Sequence, residues 1–188
     1  MKKERFETFT DGVIAILITL MVLEIHLPDL SAANFWLLAR HIGVYALSFV
    51  VIAITWLNHH NMFQPVERIN VRIIWLNFAS LFFLSLVPLA TQPLAEQFYR
   101  KESHMFYGAV LAGVCITYAL LQQAVDQTLD GVADRDKRRV NTLNWMSALL
   151  YALSVPLCWV SIYLSTAIFI LFPVLYFIPL RRVTSVAK

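Results

Sequence analysis

Charged residues are scarce in this sequence. They make up 14% of its 188 residues, whereas 59% of the residues are hydrophobic. A soluble globular domain has about 25% charged and about 45–50% apolar residues, so the composition excludes an ordinary soluble domain. The sequence also lacks the alternating polar and apolar strands, of roughly ten residues each, that are typical of a membrane β-barrel. The composition therefore predicts an all-α protein that crosses a membrane several times.

Patterns for metal binding, catalysis and a conventional potassium filter are also lacking. The two cysteines, Cys115 and Cys158, fall inside apolar runs, where cysteine packs as a small apolar residue. His59 and His60 are adjacent, and neighbouring residues of a helix point about 100° apart, so we expect neither a shared metal ion nor a cofactor. Serines in the apolar runs have no matching base at the same depth, so no enzyme is predicted. No Thr-Val-Gly-Tyr-Gly filter is present.

Long apolar stretches dominate the chain instead. A bilayer core of about 30 Å requires about 20 mostly apolar residues per helix. The predicted spans cover residues 6–27, 41–63, 73–91, 105–124, 143–164 and 167–180. The last two would form a helical hairpin with its turn at Ser165 and Thr166. No loop is long enough for a soluble domain, so residues 1–188 are predicted to form a single transmembrane domain of six helices.

The distribution of Lys and Arg predicts the orientation of these spans, because cytoplasmic loops carry an excess of both. With both termini in the cytoplasm, the inside segments hold twelve of these residues and the outside segments hold three. The outside residues are Arg40, Arg100 and Lys101. Basic residues therefore mark the ends of spans, and no nucleic-acid surface is predicted.

Ionisable and polar residues stand at the start of the first span and at the end of the second. The predicted topology places both at the cytoplasmic side, at a similar depth. Such groups are costly in a membrane and are retained where they have partners or a task. We predict a polar network made of Arg5, Thr10, Asp11, Asn58, Asn77 and either His59 or His60. The alternative is that the histidines lie at the headgroup level and contact water.

An apolar stripe follows the polar head of the first span. On a helical wheel Ile16, Leu20 and Leu23 lie within about 60° of arc, with Thr19 beside them, whereas Asp11 is about 140° away from Ile16. From the pattern alone this stripe is an ordinary packing surface. Glu24, near the outer end, is a candidate for an exposed rim or an electronegative vestibule.

Three motifs carry a resemblance to a known family. The first is Arg5-x-x-x-Phe9-Thr10-Asp11-Gly12-Val13 followed by an apolar helix, and the second is Trp56-x-x-His59-His60-x-x-Phe63. The third combines Asn77 with Leu-Val-Pro-Leu-Ala-Thr at residues 86–91. Together they resemble the transmembrane protein 175 family, whose pattern is Arg, three residues, Phe-Ser-Asp and an apolar helix. Thr10 departs from that pattern because it stands where the family has serine.

The resemblance implies a potassium-selective channel of four six-span subunits in the bacterial inner membrane, surrounded by lipid, with the first helix of each subunit lining a central pore. Monovalent cations would be its only small partners. It implies that Ile16, Leu20 and Leu23 form a hydrophobic constriction that acts as gate, and that Thr19 contributes to selectivity. A ring of Glu24 at the outer mouth would concentrate cations. The motif residues Arg5, Phe9, Thr10, Asp11, Trp56, Asn58, His59, His60 and Asn77 would form a structural network that supports the pore helix.

Two other functions fit the same residues. Histidine titrates near neutral pH, so Asp11 with His59 or His60 would also suit the relay of a proton-coupled secondary transporter. A structural membrane protein without transport is the remaining class.

Overall fold

The computed structural model describes residues 2–23, 34–129 and 134–177, and within these ranges its regular structure is entirely helical. The helices are α1 Lys3–Leu23, α2 Phe35–Phe63, α3 Val71–Glu96, α4 Lys101–Asp126, α5 Asp134–Leu157 and α6 Ile162–Phe177. The prediction of an all-α chain is confirmed. Asn70 begins α3 with a side-chain cap, because its Oδ1 accepts a hydrogen bond from the Ile73 amide at 2.8 Å.

The helices differ in how well they suit a bilayer. Within the described ranges, α1 to α4 are the four helices that are both long and apolar enough to cross a membrane. α5 begins at Asp134, so its first turns include the charged residues of the sequence stretch 134–139. α6 is strongly apolar but has only 16 residues. The ends predicted for the first and sixth spans, at residues 24–27 and 178–180, lie outside the described residues.

The predicted boundary between the last two helices is wrong. α5 ends at Leu157 rather than at residue 164, and Ser165 and Thr166 lie inside α6 instead of in the turn. Pro156 in the last turn of α5 has no amide hydrogen to continue the helical ladder. The chain then turns within residues 158–161, where the Ser161 amide donates to the Leu157 carbonyl at 2.9 Å. Apolar residues occupy this turn, so hydropathy alone does not reveal it.

α4 lies in the middle of the bundle and α1 at its edge. The most extensive contacts join α4 to α3 and to α5. In the described chain α1 packs only on α2 and α3, with no substantial contact to α4, α5 or α6. One side of α1 therefore faces away from its own subunit.

α3 and α4 approach closely at Gly113. A Cβ atom at this position would overlap the ring of Phe83, including its Cγ atom at 2.9 Å. Small residues of this kind allow helices to pack closely in membranes, where apolar area alone does not drive association. At Gly43 of α2, by contrast, an added Cβ would meet no heavy atom within 4 Å.

Gly113→Ala is therefore expected to lower the thermal stability of the purified protein. Overpacking costs about 1–3 kcal/mol, and the better helix propensity of alanine returns about 1 kcal/mol at most. Gly43→Ala is the matched control, expected to be neutral or stabilising because only the propensity term changes. Melting curves of both variants in the same detergent provide the comparison. Equal melting temperatures would show that Phe83 moves aside without cost.

Candidate functional site

α1 has two distinct faces. Its buried residues are Phe6, Thr10, Ile14, Leu17 and Met21, spaced three or four residues apart along one side of the helix. This side packs on α2 and α3. Because the spacing follows the helical period through the whole length of α1, one rotational setting of the helix satisfies all of these contacts.

A second face, centred about 110° around the helix from the buried side, carries the apolar stripe identified in the sequence. Ile16, Leu20 and Leu23 are 58%, 44% and 77% exposed in the single subunit. Thr19 is also exposed, and its hydroxyl donates a hydrogen bond to the Ile16 carbonyl at 2.8 Å. Its own subunit therefore leaves the stripe open to lipid or to another subunit. Glu24, the predicted outer-mouth residue, lies outside the described residues.

A buried chain of hydrogen bonds joins the head of α1 to α3 and α2. Asn77 Nδ2 donates to the Thr10 hydroxyl oxygen at 2.9 Å, and His59 Nε2 lies 3.0 Å from Asn77 Oδ1. The three side chains are almost fully buried. The arrangement thus links three helices through neutral polar groups at one depth.

The Thr10 hydroxyl determines the direction of each hydrogen bond in the buried hydrogen-bond chain. The Thr10 hydroxyl donates to the Phe6 carbonyl at 3.2 Å, so its oxygen must accept from Asn77. The amide nitrogen of Asn77 therefore faces Thr10 and its oxygen faces His59. Since an amide oxygen only accepts, His59 Nε2 carries the proton. A buried polar group without its partner costs about 1–3 kcal/mol, so the chain strongly favours this packing of α1.

An aromatic cluster encloses the buried chain. The rings of His59 and Phe63 are 4.6 Å apart, and those of Phe6 and Phe63 are 5.0 Å apart. Sequence reasoning did not assign a role to Phe6, although its position four residues before Thr10 places both on one side of α1. These rings exclude water from the polar atoms, which strengthens the hydrogen bonds between them.

Asp11 makes its contact on a different side of α1. Trp56 Nε1 donates to Asp11 Oδ1 at 2.9 Å, at an exposed position. The imidazole of His60 stacks on Trp56 with ring centroids 6.0 Å apart and is exposed as well. The adjacent histidines thus have different surroundings, one in the buried chain and one beside the indole. In the described structure neither histidine hydrogen-bonds to Asp11.

The remaining predicted network residues lie around this region rather than in the buried chain. Phe9 is exposed and its ring meets Phe78 of α3 edge-on at 5.7 Å. Asn58 lines a cavity on the other side of α2. Arg5 is exposed and, within the described part of one subunit, makes no hydrogen bond or ion pair. The structure therefore divides the single network predicted from the sequence into a buried chain and an exposed pair.

A second hydrogen-bond cluster was not recognised in the sequence. The Ser48 hydroxyl oxygen lies 2.9 Å from the Tyr107 hydroxyl and 2.8 Å from the Thr91 hydroxyl, so it joins α2, α3 and α4. All three residues are buried. A serine in an apolar run carries no signal of its partner, because hydroxyls that bond across helices share no fixed sequence separation.

Comparisons with known proteins agree with the motifs. Residues 5–88 match the family described as "Endosomal/lysosomal potassium channel TMEM175". A "Potassium channel" of Chryseobacterium sp. (strain P1-3) is 31% identical over 191 residues, which cover 100% of this chain and 99% of the relative. A solved structure, described as a lysosomal potassium-selective channel TMEM175 homolog from Chamaesiphon minutus, has a TM-score of 0.77 and 25% identity, covering 93% of this chain and 95% of that one.

A vertebrate relative has a different description. The "Endosomal/lysosomal proton channel TMEM175" of Gallus gallus is 32% identical over 133 residues, covering 63% of this chain but only 26% of that protein. The whole-length bacterial relative, the motif match and the shared fold lead to one conclusion. This multi-pass membrane protein belongs to the TMEM175 family.

Proposed function

We propose that this chain is one subunit of a homotetrameric potassium-selective channel in the bacterial inner membrane, in which four copies of α1 line a central pore. The observation that carries the proposal is the apolar stripe of α1, which its own subunit leaves uncovered. The names of the bacterial relative and of the Chamaesiphon structure, both potassium channels, support the choice of ion.

In this proposal all six helices cross the membrane and both termini lie in the cytoplasm. Twelve of the fifteen Lys and Arg residues then lie on the inside, in agreement with the usual charge bias. The described residues of α6 alone rise about 24 Å at 1.5 Å per residue.

The stripe supplies the constriction. Four-fold symmetry turns Ile16, Leu20 and Leu23 into stacked apolar rings, which block ions by dewetting or by direct contact until the helices move. The Thr19 hydroxyl donates its hydrogen within α1, so its oxygen retains lone pairs that can face a dehydrated cation. We therefore assign gating to the rings and a part of the selectivity to Thr19. Glu24 would concentrate cations at the outer mouth.

The buried hydrogen-bond chain sets the rotation of α1. Thr10 is held by Asn77, and Asn77 by His59, on the buried side of α1, about 80–140° around the helix from the residues of the stripe. Turning α1 by one residue position, about 100°, would break these contacts and move the stripe away from the axis. Thr10, Asn77 and His59 thus serve as positioning residues for the constriction, without touching the ion.

Potassium flux into proteoliposomes tests the proposal. Vesicles containing the purified protein are expected to take up potassium faster than sodium under matched gradients, and protein-free vesicles to take up neither. Equal uptake of both ions would remove the selectivity part of the proposal. The absence of any cation flux from a correctly assembled tetramer would contradict channel function.

Proton movement is the second candidate, since the vertebrate relative is described as a proton channel. A proton-coupled transporter would use Asp11 with His59 or His60 as relay. The described structure connects Asp11 to Trp56 and His59 to Asn77, with no direct bond between carboxylate and imidazole. Two measurements separate these functions. Internal pH recorded during potassium uptake shows a fixed proton stoichiometry and saturation if the protein is a carrier. Electrical recording from a planar bilayer shows unitary currents if it is a channel.

A further inference from the structure

Phe9 lies on the same face of α1 as the apolar stripe. At 100° per residue, its side chain is within about 20° of both Ile16 and Leu20 and within about 40° of Leu23. α1 is one continuous helix from Lys3 to Leu23, so this angular relation holds from Phe9 to the outer end of the stripe. The sequence prediction placed Phe9 in the structural polar network, but on the helix it belongs to the face of the stripe.

The subunit itself does not enclose Phe9. The residue is 50% exposed, a fraction between those of Leu20 and Ile16. The ring of Phe78 in α3 meets it edge-on with the centroids 5.7 Å apart, and Phe78 in turn lies edge-on to Trp75 at 6.0 Å. Edge-on contacts of this kind are a favoured geometry for aromatic pairs. The aromatic residues of α3 therefore support Phe9 from one side and leave about half of it open.

The neighbouring residue fixes the direction in which Phe9 points. Thr10 is fully buried, and its hydroxyl oxygen accepts a hydrogen bond from Asn77 at 2.9 Å. Adjacent residues of a helix point about 100° apart, so Phe9 lies to the side of the bundle when Thr10 points into it. Phe9 cannot turn into the bundle unless Thr10 leaves Asn77. The buried hydrogen-bond chain thus determines the orientation of Phe9 more directly than that of Ile16, which lies further along the helix.

We propose that Phe9 forms a further ring of the conduction path, at its cytoplasmic entrance. The inference rests on the proposed channel function, because it follows from the stripe facing a central axis. Phe9 precedes Ile16 by seven residues, so its ring lies about 10 Å nearer to the cytoplasm in the proposed orientation. The apolar section of the path then extends from Leu23 through Leu20 and Ile16 to Phe9.

The ring of four Phe9 side chains narrows the entrance. A phenyl group is larger than the side chains of Ile16, Leu20 and Leu23, and it offers no hydrogen bond that could replace the water around a cation. An apolar constriction of this kind opposes the passage of hydrated ions by dewetting or by direct contact. The size of residue 9 therefore limits the rate at which potassium enters from the cytoplasm.

Cysteine cross-linking of the full-length protein in liposomes tests the position of Phe9 without using ion flux. Phe9→Cys and Ile16→Cys, treated with a short bifunctional maleimide, are both expected to give covalent dimers on a denaturing gel. Val140→Cys is the matched control and is expected to stay monomeric. Val140 is 43% exposed and lies six residues beyond the start of its helix, as Phe9 does, but α5 has no substantial contact with α1 in the described chain. The wild type, with Cys115 and Cys158, gives the background.

The pattern of cross-links separates this inference from the proposed function on which it rests. Dimers from Ile16→Cys together with monomers from Phe9→Cys would overturn the inference and leave the channel proposal intact. Monomers from both variants, in protein that elutes as an oligomer, would overturn both. Dimers from Val140→Cys in the same yield as from Phe9→Cys would show that the cross-links do not report proximity to the axis, and would also count against the inference.

Unitary potassium conductance in a planar bilayer tests whether the ring narrows the entrance. Phe9→Leu is expected to raise the conductance several-fold because the side chain becomes smaller, and Phe9→Trp is expected to lower it several-fold. Both variants keep an apolar side chain at a half-exposed position, so they are expected to assemble like the wild type. Val140→Trp is the control and should leave the conductance unchanged. The same conductance in Phe9→Leu, Phe9→Trp and the wild type would overturn the narrowing of the entrance by Phe9.

Discussion

Ile16→Asn is expected to raise resting potassium flux by roughly tenfold. A polar side chain at this ring would hydrate the constriction, and lowering a barrier by about 1.4 kcal/mol increases a rate tenfold. Ile16 is 58% exposed in one subunit, so the substitution should leave the packing of α1 on its own bundle unchanged. Potassium uptake by proteoliposomes of equal protein content measures the change.

Val22→Asn is the matched control for this experiment. Val22 is 55% exposed and belongs to the same helix, but it lies about 120° from Ile16 on the helical wheel. We expect its flux to remain close to that of the wild type. If Ile16→Asn is silent while Leu20→Asn or Leu23→Asn raises flux, the constriction lies further out. If all three are silent in correctly assembled protein, α1 does not line the pore.

Asn77→Leu, in α3, is expected to destabilise the protein more than any other single change in the buried hydrogen-bond chain. It removes both a donor to Thr10 and an acceptor from His59, each of them buried. Each group left unpaired costs about 1–3 kcal/mol, so a total of about 2–6 kcal/mol is expected. Thermal unfolding followed by size-exclusion chromatography records both the melting temperature and the fraction that remains assembled.

Thr10→Ser provides the control for this substitution. Serine retains the hydroxyl that accepts from Asn77, and it is the residue that the family pattern has at this position. The variant loses one methyl group, which costs about 1 kcal/mol, so its melting temperature should lie well above that of Asn77→Leu. A melting temperature for Asn77→Leu close to that of the wild type would mean that water or other side chains satisfy Thr10 and His59.

Residue types alone identify the polar residues around the head of α1, but they do not show which of these residues contact each other. The sequence pointed to Thr10, Asn77 and His59 because each is a polar group beside or within an apolar run. It could not separate them from Asp11 and Arg5, since all five residues share one depth in the predicted topology. The separation depends on the rotational setting of α1 on α2 and α3, which buries Thr10 and leaves Asp11 beside Trp56.

The boundary between α5 and α6 could not be predicted from hydropathy, for a different reason. Trp159 and Val160 lie in the turn between α5 and α6, yet hydropathy includes them in an apolar span because both side chains are apolar. Pro156 was the available signal, since proline cannot donate the amide hydrogen that the helix requires. Hydropathy reports how apolar the side chains of a segment are, whereas the end of a helix depends on its backbone hydrogen bonds.

The sequence by itself determined the class of this protein, the order of its apolar helices and the residues of its family motif. These follow from local properties, namely the apolar content of each segment and the chemistry of single side chains. Only the tertiary structure decided which side of α1 is covered, because burial depends on the helices that pack against it. That packing pairs Thr10 with Asn77 and leaves Ile16, Leu20 and Leu23 facing away from the subunit. The same apolar residues would be an ordinary core stripe on a helix in the middle of the bundle.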